Sequence, residues 1–240
     1  MQRTLIAVNP TEHYEELFSN ALKLKYIDNV IKSTPENFLM DTISVISAGD
    51  TPIFIKGLIE TKDFLRLFTR NKNELIENKD KLLSHCSIFN ENFLATDVAF
   101  NTYPSAADKL QITKNALELY KKLFPDNKQI KISALTPAGK CDQSHSAVDA
   151  KFVEENLHDS DAYIAYEQLD SALYEEEAKI KGKTNWAPTD IFLCHDYESG
   201  NILYKAFTKL SKFSVAGLIL GAKGPICLNS RGDAMDEKLL

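Results

Sequence analysis

The sequence predicts an α/β protein with a largely parallel sheet. Short apolar runs typical of buried strands alternate along the chain with longer stretches whose apolar residues recur at helical spacing. At 240 residues the chain is long enough for one large or two small domains with cores of ordinary size. Its composition, 44% hydrophobic and 26% charged, is that of an ordinary globular protein.

The strand candidates are short runs rich in apolar and β-branched residues. The turn Asn90-Glu91-Asn92 separates two of them, which are therefore expected to lie side by side. The run 129–135 is expected to be a fully buried strand. The predicted strands are 4–8, 42–47, 52–55, 87–89, 93–98, 129–135, 162–166, 190–194, 215–220 and 225–228.

The helix candidates carry apolar residues three and four positions apart. The stretch 107–123 is the clearest, because Ile112, Leu117 and Tyr120 belong to a broad apolar stripe that runs beside lysines and glutamates. Gly182 is expected to stop the charged helix that precedes it. The predicted helices are 12–24, 62–69, 107–123, 147–156, 171–181 and 200–210.

Charge and cysteine usage exclude several functional classes. Cys86, Cys141, Cys194 and Cys227 form no closely spaced pair, so we expect reduced thiols rather than disulfides or a zinc site. The net charge of −6 argues against nucleic acid as a main partner, although a small anion needs only a locally positive pocket. Neither a membrane span nor a secretory signal is recognisable, so a cytoplasmic location is expected.

Residues 216–233 predict an anion-binding site. An apolar run, two glycines and a proline precede a second short apolar run, which ends in Asn229-Ser230-Arg231-Gly232-Asp233. The pattern is that of a buried strand, a turn, and a polar loop where a helix should begin. A serine hydroxyl, a guanidinium and backbone N–H groups at a helix start suit phosphate or another oxyanion.

Four segments, in order, carry a resemblance to a known family. They are Lys56-Gly-Leu-Ile-Glu-Thr-Lys-Asp-Phe-Leu-Arg66; Leu83-Ser-His-Cys-Ser-Ile-Phe89 with Ala95-Thr-Asp-Val-Ala-Phe-Asn101; Glu198-Ser-Gly-Asn-Ile-Leu-Tyr-Lys205; and the stretch just described. Over roughly residues 50–234 the chain resembles the phosphate acetyl/butyryltransferases, and more closely their phosphate butyryltransferase branch.

The resemblance implies a fold and a reaction. The fold is two α/β domains with the active site in the cleft between them, similar to isocitrate and isopropylmalate dehydrogenases. One domain would comprise residues 1–74 and 219–240, and the other residues 75–218. The reaction is reversible transfer of a short-chain, butyryl-like acyl group between coenzyme A and inorganic phosphate. Coenzyme A serves as a substrate, no metal or redox cofactor is needed, and a homodimer is the usual assembly.

The resemblance also assigns roles to residues near the two anion-binding segments. Arg231 and Arg66 match family arginines that hold the phosphate, and Ser230 matches a serine that bonds the reacting group. A direct attack within a ternary complex is expected, because no His–Asp pair accompanies Ser230. The thiol base is expected on the helix after the Ser-Arg pair, with Asp233 and Glu237 ranked above Asp236.

Further binding residues are expected at two turns. Lys56, Gly57 and Thr61 precede Arg66 where a strand leads into a helix. Gly57 would allow a close approach to a ligand, and Thr61 would cap the helix and offer a hydroxyl. Glu198, Gly200 and Asn201 are expected to form a second turn before a helix, with Asn201 either touching a ligand or serving as the N-cap.

Structural roles compete with these assignments. Ser230 and Asp233 also fit a helix-capping pattern, and one serine can do both jobs. Three other polar residues of the matching segments are read as local structure rather than as ligand contacts, with His85 placed at a hinge between domains. Those three are His85, Asp97 and Asn101; for His145 and His195 the sequence reveals no partner.

The chain departs from the family pattern at several places. Nine residues follow Arg231, where a full helix is usual, and 55 residues precede Lys56, which leaves the first domain shortened. His195-Asp196 stands where Pro-Asn is usual, and Ala234 replaces a common serine. An alternative function is therefore a weakened or non-enzymatic paralogue that retains anion or coenzyme A binding. A decarboxylating dehydrogenase is disfavoured, because neither a dinucleotide fingerprint nor a cluster of metal-binding aspartates is present.

Overall fold

The chain folds into two compact α/β units. The computed structural model describes residues 2–12, 14–23, 25–76, 81–137 and 143–228. Unit 1 comprises Met1–Leu83 and Ala216–Leu240, and unit 2 comprises Ser84–Val215. No helix within these described ranges is both long and apolar enough to cross a membrane.

Strands and helices alternate through most of the chain. A π-helical turn, Ala206–Leu210, continues the last helix. The elements in chain order are β1 (Arg3–Val8), α1 (Tyr14–Lys23), β2 (Asn29–Ser33), α2 (Phe38–Ser47), β3 (Thr51–Lys56), α3 (Thr61–Arg70), α4 (Lys72–Leu75), β4 (Ser84–Phe89), β5 (Phe93–Thr96), α5 (Ala106–Leu123), β6 (Ile130–Leu135), α6 (His145–Asn156), β7 (Ala162–Glu167), α7 (Leu169–Leu173), α8 (Glu175–Ile180), β8 (Ile191–Leu193), α9 (Tyr197–Lys205), β9 (Val215–Leu220) and β10 (Ile226–Cys227).

In unit 1 the strand order is β2-β1-β3-β10-β9. β1 pairs in parallel with β2 and β3, and β3 in parallel with β10, whereas β9 runs antiparallel to β10. Val8 lies opposite Lys56, and Cys227 lies opposite Ile55. The carboxyl ends of β1, β3 and β10 therefore meet at one edge of the sheet.

A group of four phenylalanines fixes α2 and α3 against β3. Phe38, Phe54, Phe64 and Phe68 are all fully buried. Phe54 and Phe68 meet edge to face with their ring centroids 5.0 Å apart, and Phe64 meets Phe68 in the same way at 5.5 Å. Such pairs add about 1 kcal/mol each beyond the area they bury. Because Phe64 and Phe68 are four residues apart, they hold one face of α3 to the core and leave the other in solvent.

In unit 2 the strand order is β4-β5-β8-β6-β7. β5, β8, β6 and β7 are parallel, and only β4 runs antiparallel to its neighbour β5. The core on one face contains the fully buried Phe89 and Phe192, packed with Phe93 and Phe207. Helices α5, α6 and α9 each begin beyond the carboxyl end of a parallel strand, which places their first turns at the edge where α/β proteins usually bind ligands.

The predicted α/β class is confirmed, but some of its elements are wrong. Residues 42–47 form the end of helix α2, not a strand. The predicted helix 171–181 is two short helices, because Tyr174 between them has extended backbone angles of φ −128 and ψ 126. Strand β2 was not predicted. Gly182 has φ 77 just after α8, as its predicted stop requires.

Candidate functional site

The carboxyl edge of the unit 1 sheet gathers the ends of three parallel strands. β3 leads there into the turn before α3, and β10 ends beside it, because Cys227 pairs with Ile55. The end of β10 therefore lies beside Ile55, the residue that immediately precedes Lys56 and Gly57. Four predicted site residues, Ser230, Arg231, Asp233 and Glu237, lie outside the described residues, and so does Asp236.

Gly57 allows two backbone segments to touch at this edge. Its N–H donates to the carbonyl oxygen of Val8 over 2.9 Å, and the N–H of Leu58 donates to the carbonyl oxygen of Asn9 over 2.9 Å. A Cβ at Gly57 would stand 2.1 Å from that Asn9 oxygen. The glycine is therefore required by the contact between the ends of β1 and β3, a reason that the sequence did not reveal.

Lys56 places its ammonium group over the same turn. Its Nζ donates to the carbonyl oxygens of Gly57, over 3.1 Å, and Ile59, over 3.2 Å. Its own carbonyl oxygen accepts a hydrogen bond from the Tyr14 hydroxyl at 2.9 Å. The side chain is half-buried. A positive charge thus stands at the start of α3, where an anion would gain from both the ammonium and the helix dipole.

Thr61 does not cap α3. The N-cap position belongs to Glu60, which has extended backbone angles and makes no side-chain cap hydrogen bond. Thr61 is the first helical residue, so the predicted capping role is wrong. Its half-buried hydroxyl belongs to the first turn of the helix.

Arg66 lies on the solvent face of α3, opposite Phe64 and Phe68. Its guanidinium contacts the carboxylate of Asp63 within the same helix, with Nη1 2.8 Å from Oδ1. The Arg66 side chain is 47% exposed. A surface pair of this kind contributes at most about 0.5 kcal/mol, so a phosphate can compete for the guanidinium at little cost.

In unit 2 the first turn of α9 differs from the prediction. Asp196 is the N-cap and forms a capping box with Ser199, whose backbone N–H donates to Asp196 Oδ1 over 2.8 Å. Burial alone would raise the pKa of Asp196, but the hydrogen bonds from Ser199, together with the charges of His195 and Lys109, lower it. Asn201 is therefore an interior helical residue, half-buried, and its alternative role as the N-cap is wrong.

Gly200 allows α9 to lie directly on the chain that leaves β5. A Cβ at Gly200 would stand 2.3 Å from the carbonyl oxygen of Asp97 and 2.8 Å from Cα of Val98. The position is inside the helix, so Gly200 belongs to a packing contact and not to the turn that was predicted.

Asp97 organises the loop after β5. Its buried carboxylate accepts hydrogen bonds from the backbone N–H groups of His85, Ala99, Phe100 and Asn101 at 2.8–3.3 Å. The side-chain amide of Asn101 donates to it over 2.6 Å. The interpretation of Asp97 and Asn101 as local structure is confirmed. His85 is also buried, and it lies two residues into unit 2.

The structure supplies partners for His195 that the sequence did not reveal. Its Nδ1 lies 3.0 Å from Nζ of Lys109 and 4.0 Å from Oδ2 of Asp149. The Lys109 ammonium also bonds the Asp149 carboxylate. These residues are 40 and 86 positions apart in sequence. Only their places, in the first two turns of α5 and α6 and just beyond β8, indicate that they meet at the carboxyl edge of the strands.

The thiols of the described residues are not poised for nucleophilic chemistry. Cys86, Cys194 and Cys227 are free. Burial raises the pKa of Cys86 and of Cys194 far above the ordinary range, and that of Cys227 to about 11. Across the described part of the chain, no three His, Cys, Asp or Glu side chains gather in a way that could hold a metal ion.

Comparison with known proteins identifies the family. The family model described as phosphate acetyl/butaryl transferase matches residues 6–240. The phosphate butyryltransferase of Clostridium beijerinckii is 30% identical over 217 residues, which cover 85% of this chain and 70% of that protein. The phosphate butyryltransferase of Clostridium acetobutylicum is 28% identical over 248 residues, covering 94% of this chain and 79% of that protein.

A solved structure agrees with this assignment. The branched-chain phosphotransacylase from Enterococcus faecalis V583 superposes with a TM-score of 0.79 and 25% sequence identity, covering 100% of this chain and 96% of that one. The turn before α3 lies at the carboxyl edge of the unit 1 sheet, and Arg66 is on the exposed face of the helix that follows it. The chain belongs to the phosphate acetyl/butaryl transferase family.

Proposed function

We propose that this chain catalyses the reversible transfer of a short-chain, butyryl-like acyl group between coenzyme A and inorganic phosphate. Support comes from the family and from the phosphate butyryltransferases and the branched-chain phosphotransacylase that the chain is similar to. These comparisons do not favour the alternative, a weakened or non-enzymatic paralogue. The proposed reaction needs no metal or redox cofactor, and coenzyme A acts as a substrate.

The chemistry is a direct displacement in a ternary complex. The coenzyme A sulfur attacks the carbonyl carbon of the acyl phosphate, and the carbon–oxygen bond to phosphate then breaks with its electron pair on the phosphate oxygen. A base removes the thiol proton, and a cation must neutralise the phosphate. We assign the base to Asp233 or Glu237 and the phosphate clamp to Arg66 and Arg231. Ser230 donates a hydrogen bond to the reacting group.

The remaining assignments follow from place in the fold. Lys56 and Thr61 flank the start of α3, so they would contact the same anion as Arg66, with Gly57 shaping the turn between them. Asn201 lies on the first half of α9, beyond the carboxyl end of β8, and is assigned to substrate binding in unit 2.

The position of Arg66 carries the proposal. Phe64 and Phe68 bury the opposite face of α3, so the direction in which Arg66 leaves the helix is fixed by the core. Its Asp63 partner is a surface carboxylate that contributes little to stability. An arginine with so small a structural role, on the exposed face of the helix that follows the carboxyl end of β3, suits bidentate binding of phosphate.

A thiol-release assay tests the function. The protein is given acetyl-, propionyl-, butyryl- and isobutyryl-CoA, each with and without phosphate, and free thiol is measured. We expect phosphate-dependent release that is faster with the four-carbon substrates than with acetyl-CoA. Release of no thiol from any of them, by protein that still binds coenzyme A, would refute the enzyme assignment and favour the alternative.

Arg66→Ala tests the site within the same assay. We expect kcat/KM for phosphate to fall about 100-fold to 1,000-fold, as for other groups that stabilise transition-state charge. The matched control is Arg70→Ala, which removes an exposed arginine one turn further along α3 and should leave turnover within about twofold. Near-normal turnover of the Arg66 variant would overturn its assignment.

Two further proposals concern the state of the protein. We infer a homodimer from the family resemblance, so the mass in solution should be about twice 27.0 kDa. A mass of 27.0 kDa by light scattering would contradict this inference.

We also infer a cytoplasmic location, because Cys86, Cys194 and Cys227 are unpaired thiols of the kind found in reducing compartments. Fractionation of cells tests this inference directly.

A further inference from the structure

Lys109 is an almost fully buried cation with two partners. Its side chain is 5% exposed, and its ammonium bonds the Asp149 carboxylate. The second partner is Nδ1 of His195, 3.0 Å away. A lysine ammonium has hydrogens to donate and no lone pair, so the contact is a hydrogen bond only when His195 Nδ1 is an unprotonated acceptor.

These three side chains join three elements at their ligand-facing ends. Lys109 is in the first turn and a half of α5, Asp149 is in the second turn of α6, and His195 is in the turn between β8 and α9. The next residue, Asp196, caps α9. The contact therefore fixes where α9 begins, and α9 carries Asn201.

The charges around His195 favour its neutral form. Burial lowers the pKa of His195, and the Lys109 ammonium on α5 lowers it further; His145 on α6 acts in the same direction. The carboxylates of Asp196, in the same turn as His195, and of Asp149, on α6, raise the pKa of His195, but the lowering effects are larger. Protonation would set an imidazolium directly against an ammonium group that is itself almost fully buried.

We propose that Lys109, Asp149 and His195 form a positioning network for acyl transfer, in which neutral His195 holds the start of α9 and protonated His195 releases it. None of the three touches the reacting atoms in this role. They act through Asn201 and the first turn of α9, which would bind coenzyme A less tightly once the turn is released. The effect on catalysis rests on the proposed function, whereas the effect on His195 itself does not.

The histidine is measured first, without any assay of activity. In full-length protein with labelled histidine, the imidazole signal of His195 is followed by NMR from pH 4.5 to 8.5 and assigned by its loss in His195→Asn. We expect a pKa below the ordinary value of about 6.5. In Lys109→Met the pKa should rise by at least one unit, because the two carboxylates remain. A His195 pKa at the ordinary value, or one that is the same in Lys109→Met, would show that the network does not exist.

The pH profile of activity tests the positioning role. We expect kcat/KM for acyl-CoA to fall as pH drops through the His195 pKa measured by NMR, with the loss mainly in KM. In His195→Asn an amide oxygen can still accept from Lys109 but cannot be protonated, so activity at pH 8 should stay within about threefold and the acid loss should disappear. His195→Ala, which lacks the acceptor, should lose about tenfold at every pH.

Controls keep the outcomes separate. His158→Asn changes an exposed histidine in the connection between α6 and β7, and it should leave the pH profile unaltered. An active wild type whose acid loss persists in His195→Asn would overturn the positioning role. If every variant and the wild type lack activity, the proposed function fails, and the NMR titration alone decides whether the network exists.

Discussion

Gly57 and Gly200 each allow a close contact between backbone segments, although the sequence alone indicates only turns at these positions. At each position a Cβ would stand within 2.3 Å of a backbone oxygen, that of Asn9 for Gly57 and that of Asp97 for Gly200. The sequence predicts that Gly57 allows a ligand to approach and that Gly200 belongs to a turn before a helix. Their structural reason lies in segments 48 and 103 residues away, which no local pattern reports.

Gly57→Ala should therefore destabilise the protein strongly. The added methyl group must displace the backbone of Asn9, which is held by parallel pairing on both sides of β1, so we expect a loss of about 3 kcal/mol in unfolding free energy. The measurement is urea unfolding at pH 7.

Gly49→Ala is the matched control for this substitution. Gly49 has φ 81 with no atom within 4 Å of the added Cβ, so only backbone strain is introduced and the loss should be about 1 kcal/mol. Equal losses in the two variants would mean that the contact at Asn9 is not what selects glycine at position 57.

Residue-level prediction from sequence succeeded where the partners are local. Asp97 and Asn101 are four residues apart, and their interpretation as local structure is confirmed. It failed for Thr61 and Asn201, since both were read as possible caps and the caps belong to Glu60 and Asp196. An N-cap depends on where the preceding strand ends, and a shift of one to five residues in that end changes which side chain stands at the helix start.

At the scale of elements, a buried ion network joins β6 and β7 to the segment before β8. The Glu167 carboxylate forms ion pairs with Nζ of Lys131 at 2.9 Å and with Nζ of Lys183 at 2.8 Å. It also accepts a hydrogen bond from the Ser133 hydroxyl at 2.6 Å. The Glu167 and Lys131 side chains are each 4% exposed. Burial alone would raise the pKa of Glu167, but these partners outweigh it, and the pKa is lowered.

Glu167→Gln should cost about 3 kcal/mol of unfolding free energy at pH 7, because it leaves Lys131 buried without its counter-charge. The folded pKa of Glu167 lies below its ordinary 4.5, so its stabilisation is complete above that pH and is lost as pH falls through the folded pKa. The difference in unfolding free energy between variant and wild type should therefore begin to narrow below pH 4.5. Urea unfolding at pH 7 and pH 3.5, followed by the fluorescence of Trp186, measures both.

The control for this prediction is Glu175→Gln. Glu175 pairs with Lys179 one turn away at 2.7 Å, but both side chains are more than half exposed. Its loss should stay within about 0.5 kcal/mol at either pH. A Glu167→Gln variant that behaves like this control would show that the buried network contributes nothing net.

Helix α2 explains why one element was predicted wrongly. Residues 42–47, Thr-Ile-Ser-Val-Ile-Ser, are rich in β-branched side chains, which favours a strand. The residues that α2 buries are Phe38, Thr42 and Val45, spaced by four and three. The helical period becomes visible only when Phe38 is included, so tertiary packing against Phe54 and Phe68 decides the outcome over local propensity.

At the scale of the whole molecule, unit 1 brings chain segments from both ends of the sequence into one sheet. β10 pairs with β3 although about 170 residues separate them, and this pairing places the end of β10 beside the end of β3, just before the turn that leads into α3. The order of the four matching segments predicts the family, but it does not predict the register of this strand pair. Register depends on which strands lie side by side in the sheet. β10 has only two residues, too few for a sequence pattern to indicate its neighbour.

A double-mutant cycle on Arg66 and Arg231 tests the central claim, that both guanidinium groups bind one phosphate. Rates of phosphate-dependent thiol release are measured for wild type, Arg66→Ala, Arg231→Ala and the double variant, and each kcat/KM is converted to a free energy. Two groups that share one anion should be coupled by about 1 kcal/mol or more, so the double variant loses clearly less than the sum of the single losses. Losses that add within about 0.3 kcal/mol would contradict the claim, because independent sites behave in that way.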